Sequence, residues 1–261
     1  MADAATNEPR ITGSVPLYKS VEPLNRQKHA AYGVNSVKEP FGFLRDWHFV
    51  PAIAAEFGVA SGSFPIVFLG ERKMPVLVMG LRQGSNLFIT EDGNFEQDHY
   101  VPAYVRRYPF VSAANPGEQP STVCIDVDAE FVTDKNPQQP FFDENGEPTD
   151  YTKQAVDFVS AFERDAQITE AFVKRLVDLD LLEKKEIKVA NPQDPDNPVT
   201  VADYFGVSPE KLQALPDDKI AELHKSHDLS VIHAHLISLQ RWERIMRRVA
   251  MAATEDQAAQ S

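Results

Sequence analysis

"FPIVFLG" (Phe64–Gly70) and "MPVLVMGL" (Met74–Leu81) are two short apolar runs separated by Glu71, Arg72 and Lys73. Runs of this length bounded by turn residues read as buried strands. They set the character of the chain from Val15 to about Ala129. "SNLFIT" (Ser85–Thr90) reads as a further strand, and Asp92-Gly93 after it is a hairpin signal. "STVCIDVDAEF" alternates, with Val123, Ile125 and Val127 on one side and Cys124, Asp126 and Asp128 on the other. One helix is expected in this region, over 50–57, with Pro51 in its first turn and Gly58 at its end.

The pattern then changes. "KNPQQPFFDENGEPTDY" is a turn-rich bridge. "YTKQAVDFVSAFERD" and "ITEAFVKRLVDLDLLEKK" carry apolar residues at helical spacing, which predicts two helices, one capped by Thr149 or Asp150 and one by Thr169. "VANPQDPDNPVTV", with three prolines, reads as a loop. "SPEKLQAL" opens as a cap followed by proline at the first helical position. A last helix is expected from about Asp228 to Met251, burying Ile232, His235, Leu236, Leu239, Trp242 and Met246 and turning Arg241, Arg244, Arg247 and Arg248 the other way.

These elements predict an α+β protein. A mixed or mostly antiparallel sheet in the N-terminal half is followed by packed helices, the last returning onto the sheet. The expected organisation is a disordered lead-in over 1–14, one domain over 15–252 (strand-rich over 15–135, helix-rich over 148–252), and a disordered tail over 253–261.

The formal net charge is -13, from 39 acidic against 26 basic residues. That argues against nucleic acid and against anionic membranes as main partners. One cysteine, Cys124, leaves no internal disulfide. The first residues lack a basic region followed by an apolar one, and no run of apolar residues is long enough to span a bilayer, so no transmembrane segment and a cytoplasmic location are expected.

"YVPAYVRRYPF" (Tyr100–Phe110) is the densest candidate for function. Arg106 and Arg107 have the geometry to clamp a carboxylate or phosphate, and Tyr100, Tyr104, Tyr108 and Phe110 offer stacking faces. The competing reading packs the rings inward and pairs the arginines with the chain's own acids. Arg241 and Arg244 form a second candidate surface. Four histidines fall between His224 and His235, but His233 and His235 point apart on a helix, so no metal is expected and His235 reads as a buried, hydrogen-bonded residue. "FFDENGEPTD" resembles the start of a calcium loop, but Gln154 stands where the bidentate Glu belongs, which favours a turn on Asn145-Gly146. Asp126 and Asp128 read either as paired carboxylates or as an exposed sheet face. Phosphate-loop, GxSxG and CxxC signatures are absent, and no cofactor is expected.

Taken in order, "PLYKSVEPLN" with His29, "FPIVF", "LRQGSNLFI", "YVPAYVRRYPF", "FFDENGEPT" and "IHAHLISLQRW" resemble the SapC family over about Val15 to Met246. Phe95 stands where that family often has tryptophan. SapC-like proteins are named for bacterial surface-layer gene clusters, and others accompany outer-membrane receptor and flavin-dependent halogenase genes. The resemblance implies an accessory role linked to the cell envelope or surface layer and carries over no catalytic residues. The expected function is a non-enzymatic accessory or adaptor protein binding a protein or peptide partner. The alternative is an enzyme of unrecognised type acting on a peptide or anionic metabolite, with Arg106 and Arg107 on the anion and His235, Asp126 or Asp128 as acid or base.

Overall fold

The computed structural model describes residues 15–113, 122–191 and 194–259, with side chains left aside for 189–198 and 252–259. In chain order the elements are β1 (Val21–Pro23), β2 (Gly33–Val34), β3 (Phe49–Pro51), α1 (Phe57–Ala60), β4 (Ile66–Leu69), β5 (Met74–Val78), α2 (Ala103–Arg106), β6 (Phe110–Ala113), β7 (Thr122–Asp126), β8 (Val132–Thr133) and β9 (Gln139–Pro140). Then follow α3 (Asp150–Asp178), β10 (Leu182–Asn191), β11 (Asp194–Val207), α4 (Pro209–Gln213), α5 (Asp217–Lys225), α6 (Asp228–Ser238) and α7 (Trp242–Ala259). The protein is α+β, with antiparallel sheets weighted to the N-terminal half and helices after them. The chain divides into two compact units. One takes the described residues up to Pro40 together with Val105–Arg164; the other takes Phe41–Tyr104 and the described residues from Asp165 onward.

The first unit carries an antiparallel sheet in the order β1-β7-β6 and a small one in the order β8-β2-β9. Its core gathers Phe110, Ile125, Phe141, Phe142 and Val159. Phe110 meets Phe141 edge-on at 5.5 Å, and Phe141 stacks on Tyr151. Gly33 is central in the small sheet, where a Cβ would lie 2.3 Å from the Gln139 carbonyl oxygen, so only glycine fits. Thr149 caps α3, its Oγ1 accepting from the Thr152 N–H. The expected turn on Asn145-Gly146 is present: the Asp143 carboxylate accepts from the Asn145 and Glu147 amides, and Gly146 has a φ of +73°.

The second unit is built on a five-stranded antiparallel sheet, β10-β11-β4-β5-β3. Ile66, Phe68 and Leu77 lie on one face, where Phe68 is 6.5 Å from Phe57, and Phe57 meets Phe172 of α3 edge-on at 6.1 Å. Val67, Leu69, Val76 and Val78 lie on the other, with Phe49 paired to Val78. The last helices return onto this sheet through Ile232, His235, Ser238, Trp242 and Ile245, all buried.

Several expectations are corrected. The helix over 50–57 is instead β3, a 3-10 turn over Ala54–Glu56 and α1. Pro51 biases Val50 to an extended backbone, and β3 pairs with β5; Gly58 falls inside α1. The strand over 85–90 is a stapled loop with one bridge, Ile89 to Phe95: Asn86 Nδ2 donates to the Leu44 and Trp47 carbonyls and its Oδ1 accepts from the Phe88 N–H. The two expected helices merge into α3, since nothing in Arg164–Gln167 breaks a helix, and the second ends at Asp178, its expected last residues Leu182–Lys185 lying instead in β10. Thr169 is no cap: its Oγ1 donates to the Asp165 carbonyl and accepts from the Ala54 N–H. Of the expected loop over 189–201, residues 189–191 belong to β10 and 194–201 to β11, while 192–193 lie outside the described residues. The β10–β11 ladder shifts register twice, between Ile187 and Lys188 and between Val189 and Asn191, and such irregular places tolerate proline. The last helix is interrupted by a 3-10 turn over Leu239–Arg241, which brings Ile245 rather than Met246 into the buried stripe. The lead-in over 1–14 lies outside the described residues; α7 continues through Ala259, and residues 260–261 also lie outside.

Candidate functional site

The Tyr100–Phe110 segment is mostly structure. Tyr100 is half-buried and its N–H donates to Ser63 Oγ. Tyr104, Arg107, Tyr108 and Phe110 are buried, and Arg106 is exposed. The two guanidiniums lie over rings one turn apart on α3: Arg106 over Phe158 at 5.0 Å, Arg107 over Phe162 at 4.5 Å. Arg107 also lies 5.6 Å from the Tyr18 ring. Desolvation, then the Asp126 charge, pushes the Tyr108 hydroxyl pKa up, so Tyr108 stays a phenol.

Asp126 is the centre of this part of the first unit. Its carboxylate accepts from the Lys19 N–H at 2.8 Å, the Ser20 N–H at 2.9 Å, the Asp128 N–H at 3.2 Å and the Tyr108 hydroxyl at 3.2 Å. The expected exposed face of Cys124, Asp126 and Asp128 is therefore corrected. Cys124 is buried with Val111 and Ala113 against Val15, Tyr18 and Val21, Asp126 is buried under Lys19, Ser20 and Tyr108, and only Asp128 is exposed. Asp126 and Asp128 do not pair as carboxylates, because the link between them runs through the Asp128 backbone amide. Burial pushes the Cys124 thiol up to about 11.

The arginines of the last helices turn onto their own unit. Arg241 donates to the Ser61 carbonyl, Arg244 to His99 Nε2, and Arg248 to the Leu87 carbonyl while lying over the Phe88 ring. Phe95 is core, edge-on to Phe41 and Phe64. His235 is fully buried with both ring nitrogens engaged, and His224, His227 and His233 are exposed.

A pocket that sequence reasoning missed lies in the second unit, on the sheet face away from Phe57. It has a volume of about 190 Å³ and is lined by His48, Phe49, Val67, Leu69, Val78, Gly80, Leu81, Val201, Ala202, Asp203, Tyr204 and Trp242. The Tyr204 and Trp242 rings lie 5.4 Å apart at 32°. Gly80 has no room for a Cβ, which would meet the Ser85 carbonyl at 1.9 Å, so glycine is needed for the loop to close beside the pocket. Burial lowers the His48 pKa, so the ring is neutral at neutral pH. Distant segments meet here, and only the apolar runs of β4 and β5 hinted at the floor.

Two units built on antiparallel sheet, one with a pocket beside Tyr204 and Trp242, define an α+β protein whose polar side chains are largely spent on its own architecture. The chain belongs to the SapC family, whose family model matches residues 24–245. No curated protein and no solved structure matches it. Among the described residues, no helix is long and apolar enough to cross a membrane.

Proposed function

We propose that this SapC-family chain is a non-enzymatic accessory or adaptor protein of the bacterial cell envelope or surface layer. On this reading it acts from the cytoplasmic side and binds a protein or peptide partner through the surface around Arg106. The observation that carries the reading is the Arg106–Phe158 pair. An exposed guanidinium held 5.0 Å over a ring is the type of anchor protein interfaces favour. The groups the enzyme alternative relies on lend it no support. Asp126 is committed to four donors, His235 to two backbone groups, and Asp128 is an exposed carboxylate.

The test places a benzophenone amino acid at Gln154, exposed one turn before Phe158 on α3, and at Lys225 of the second unit as a control. In the native bacterium a discrete cross-linked product is expected from position 154 and not from 225, and it is lost with Arg106→Ala. The same products from both positions, or a product indifferent to Arg106→Ala, sinks the reading.

A further inference from the structure

We infer that the free edge of β11 beside the pocket is a strand-addition site for an extended, neutral or basic peptide segment of a partner protein. One apolar side chain of that segment fills the pocket. The inference does not rest on the surface around Arg106, which belongs to the first unit.

Strand geometry carries the argument. Val201, Ala202, Asp203 and Tyr204 all line the pocket. Successive side chains of a strand point to opposite faces, so four consecutive residues line one space only where it reaches the strand's edge. The pocket therefore spreads from the sheet face onto the edge of β11. A bulge marks the same place. Ile187 pairs with Ala202 and Lys188 with Thr200, which leaves Val201 as an extra residue in β11. Bulges bend a strand and interrupt its ladder.

The edge at this point has no neighbouring strand. Backbone groups of a strand alternate between its two sides. The Val207 N–H turns away from β10 to reach His235, and Phe205 meets Phe68 of β4 on the same side. Asp203 is next in this series and presents its N–H and C=O to that side. Its place in the ladder falls opposite Gly70, but β4 ends at Leu69 and the pairing stops at Phe205. The Asp203 carboxyl has its pKa lowered first by Lys184 and least by its own N–H, so that N–H is only lightly engaged. An unpaired edge is a ready template for another strand. In strand addition, main-chain bonds give affinity and a side-chain pocket gives specificity.

The pocket sets the side chain. Its volume of about 190 Å³ exceeds the roughly 150 Å³ of an apolar cavity that holds benzene, so a phenylalanine ring or a leucine branch fits. Phe49, Val67, Leu69 and Val78 give it apolar walls. The lining reaches the surface at half-buried Leu69, Val201 and Ala202 and at exposed Asp203, so a chain lying along the edge can lower a side chain into it.

Charge sets the flanks. No lysine or arginine lines the pocket, burial keeps His48 neutral, and the whole chain carries a net charge of -13. Acidic flanks meet repulsion that neutral or basic flanks escape.

The probe is the capped heptapeptide Lys-Thr-Val-Phe-Val-Thr-Lys, titrated into the ¹⁵N-labelled full chain. It is expected to bind with a dissociation constant of about 1 mM or tighter, to shift the Asp203 amide signal, and at saturation to slow hydrogen exchange there about 10-fold. Replacing the central phenylalanine by alanine empties the pocket. N-methylation of the peptide backbone removes its ladder donors. Each change should weaken binding about 10-fold or more. Asp203→Pro removes the edge N–H, leaves the ladder to β10 in place and should abolish binding. The peptide variants leave the protein untouched and carry the test if Asp203→Pro fails to fold. An Asp203 signal unmoved up to the solubility of the peptide overturns the proposal. So does equal binding of the N-methylated peptide, which would mean that no ladder forms, or equal binding of the alanine peptide, which would mean that the pocket stays empty.

Discussion

His235 Nδ1 lies 2.8 Å from the carbonyl oxygen of Ile66, a residue 169 positions earlier in the chain. The other ring nitrogen accepts from the Val207 N–H at 3.0 Å. Phe205 pairs with Phe68, so Val207 would stand opposite Ile66 if the antiparallel ladder continued. The imidazole takes the place of that missing rung, and Ser238 Oγ accepts from the Ile66 N–H while donating to the His235 carbonyl. A helix thus closes the end of the β4–β11 pairing with side-chain hydrogen bonds.

This arrangement needs a neutral ring, because Nε2 must accept. Burial lowers the His235 pKa from 6.5 to about 4. The unfolded chain therefore binds a proton at higher pH than the folded one. Stability from this site is full above pH 6.5 and declines as pH falls from 6.5 towards 4, by about 3 kcal/mol at 1.36 kcal/mol per unit. Urea unfolding at pH 7 and pH 4.5 should show a smaller loss in His235→Gln, whose amide donates and accepts without titrating. An identical pH dependence in both proteins would refute the role.

Asp126 gives a second prediction, on the first unit. Asp126→Ala leaves the Lys19, Ser20 and Asp128 amides and the Tyr108 hydroxyl without their buried acceptor. At about 1–3 kcal/mol for each orphaned group, partly relieved by water, a loss of about 3 kcal/mol is expected. Hydrogen exchange is the sharper readout: the Lys19 and Ser20 amides should lose protection even where global unfolding is unchanged. Retained protection there would show that the carboxylate does not hold this turn.

Cys124 should be chemically quiet. Its thiol is buried and pushed up to about 11, against about 8.5 for a free cysteine. At pH 8 the thiolate fraction falls by about two orders of magnitude, so alkylation by iodoacetamide should run at least ~100-fold slower in the native protein than in urea. Native rates within a few-fold of the unfolded ones would mean that β7 opens readily.

What the sequence revealed, and what it hid, divides along the range of the interactions. Alternation at Val123–Asp126 and the apolar runs at 66–69 and 74–78 announced strands, because strand burial is written with a period of two. Ser208 before Pro209 announced the start of α4, because capping is local. The β10–β11 hairpin was obscured by its prolines, of which Pro195 and Pro198 lie in β11 and mimic a loop when the irregular pairing that tolerates them is out of view. Arg106 and Arg107 were read as an anion clamp or as partners of the chain's own acids; that they lie over Phe158 and Phe162, one exposed and one buried, depends on rings some fifty residues away that sit at different depths. The pocket was invisible because His48, Leu69, Tyr204 and Trp242 share no local pattern.

Arg175 and Asp228 show how much one long-range pair contributes. The guanidinium meets the carboxylate with two bonds, Nε to Oδ2 at 2.5 Å and Nη2 to Oδ1 at 2.9 Å, and so joins α3 to the first turn of α6. Asp228 is buried and also accepts from Ser226 Oγ, whereas Arg175 is partly exposed. The two residues are therefore not equivalent. Arg175→Ala strands a buried carboxylate and should cost about 2 kcal/mol, within the range for hydrogen bonds to charged groups. Asp228→Asn keeps acceptors for Ser226 and one fork contact and should cost less. In a double-mutant cycle the pair should couple by about 1 kcal/mol or more, since contacting partners are not additive. The Arg175 pKa is raised chiefly by its hydrogen bond to Asp228, so the guanidinium stays charged throughout the working pH range. Additive single and double variants at pH 7 would show that the fork contributes nothing to stability.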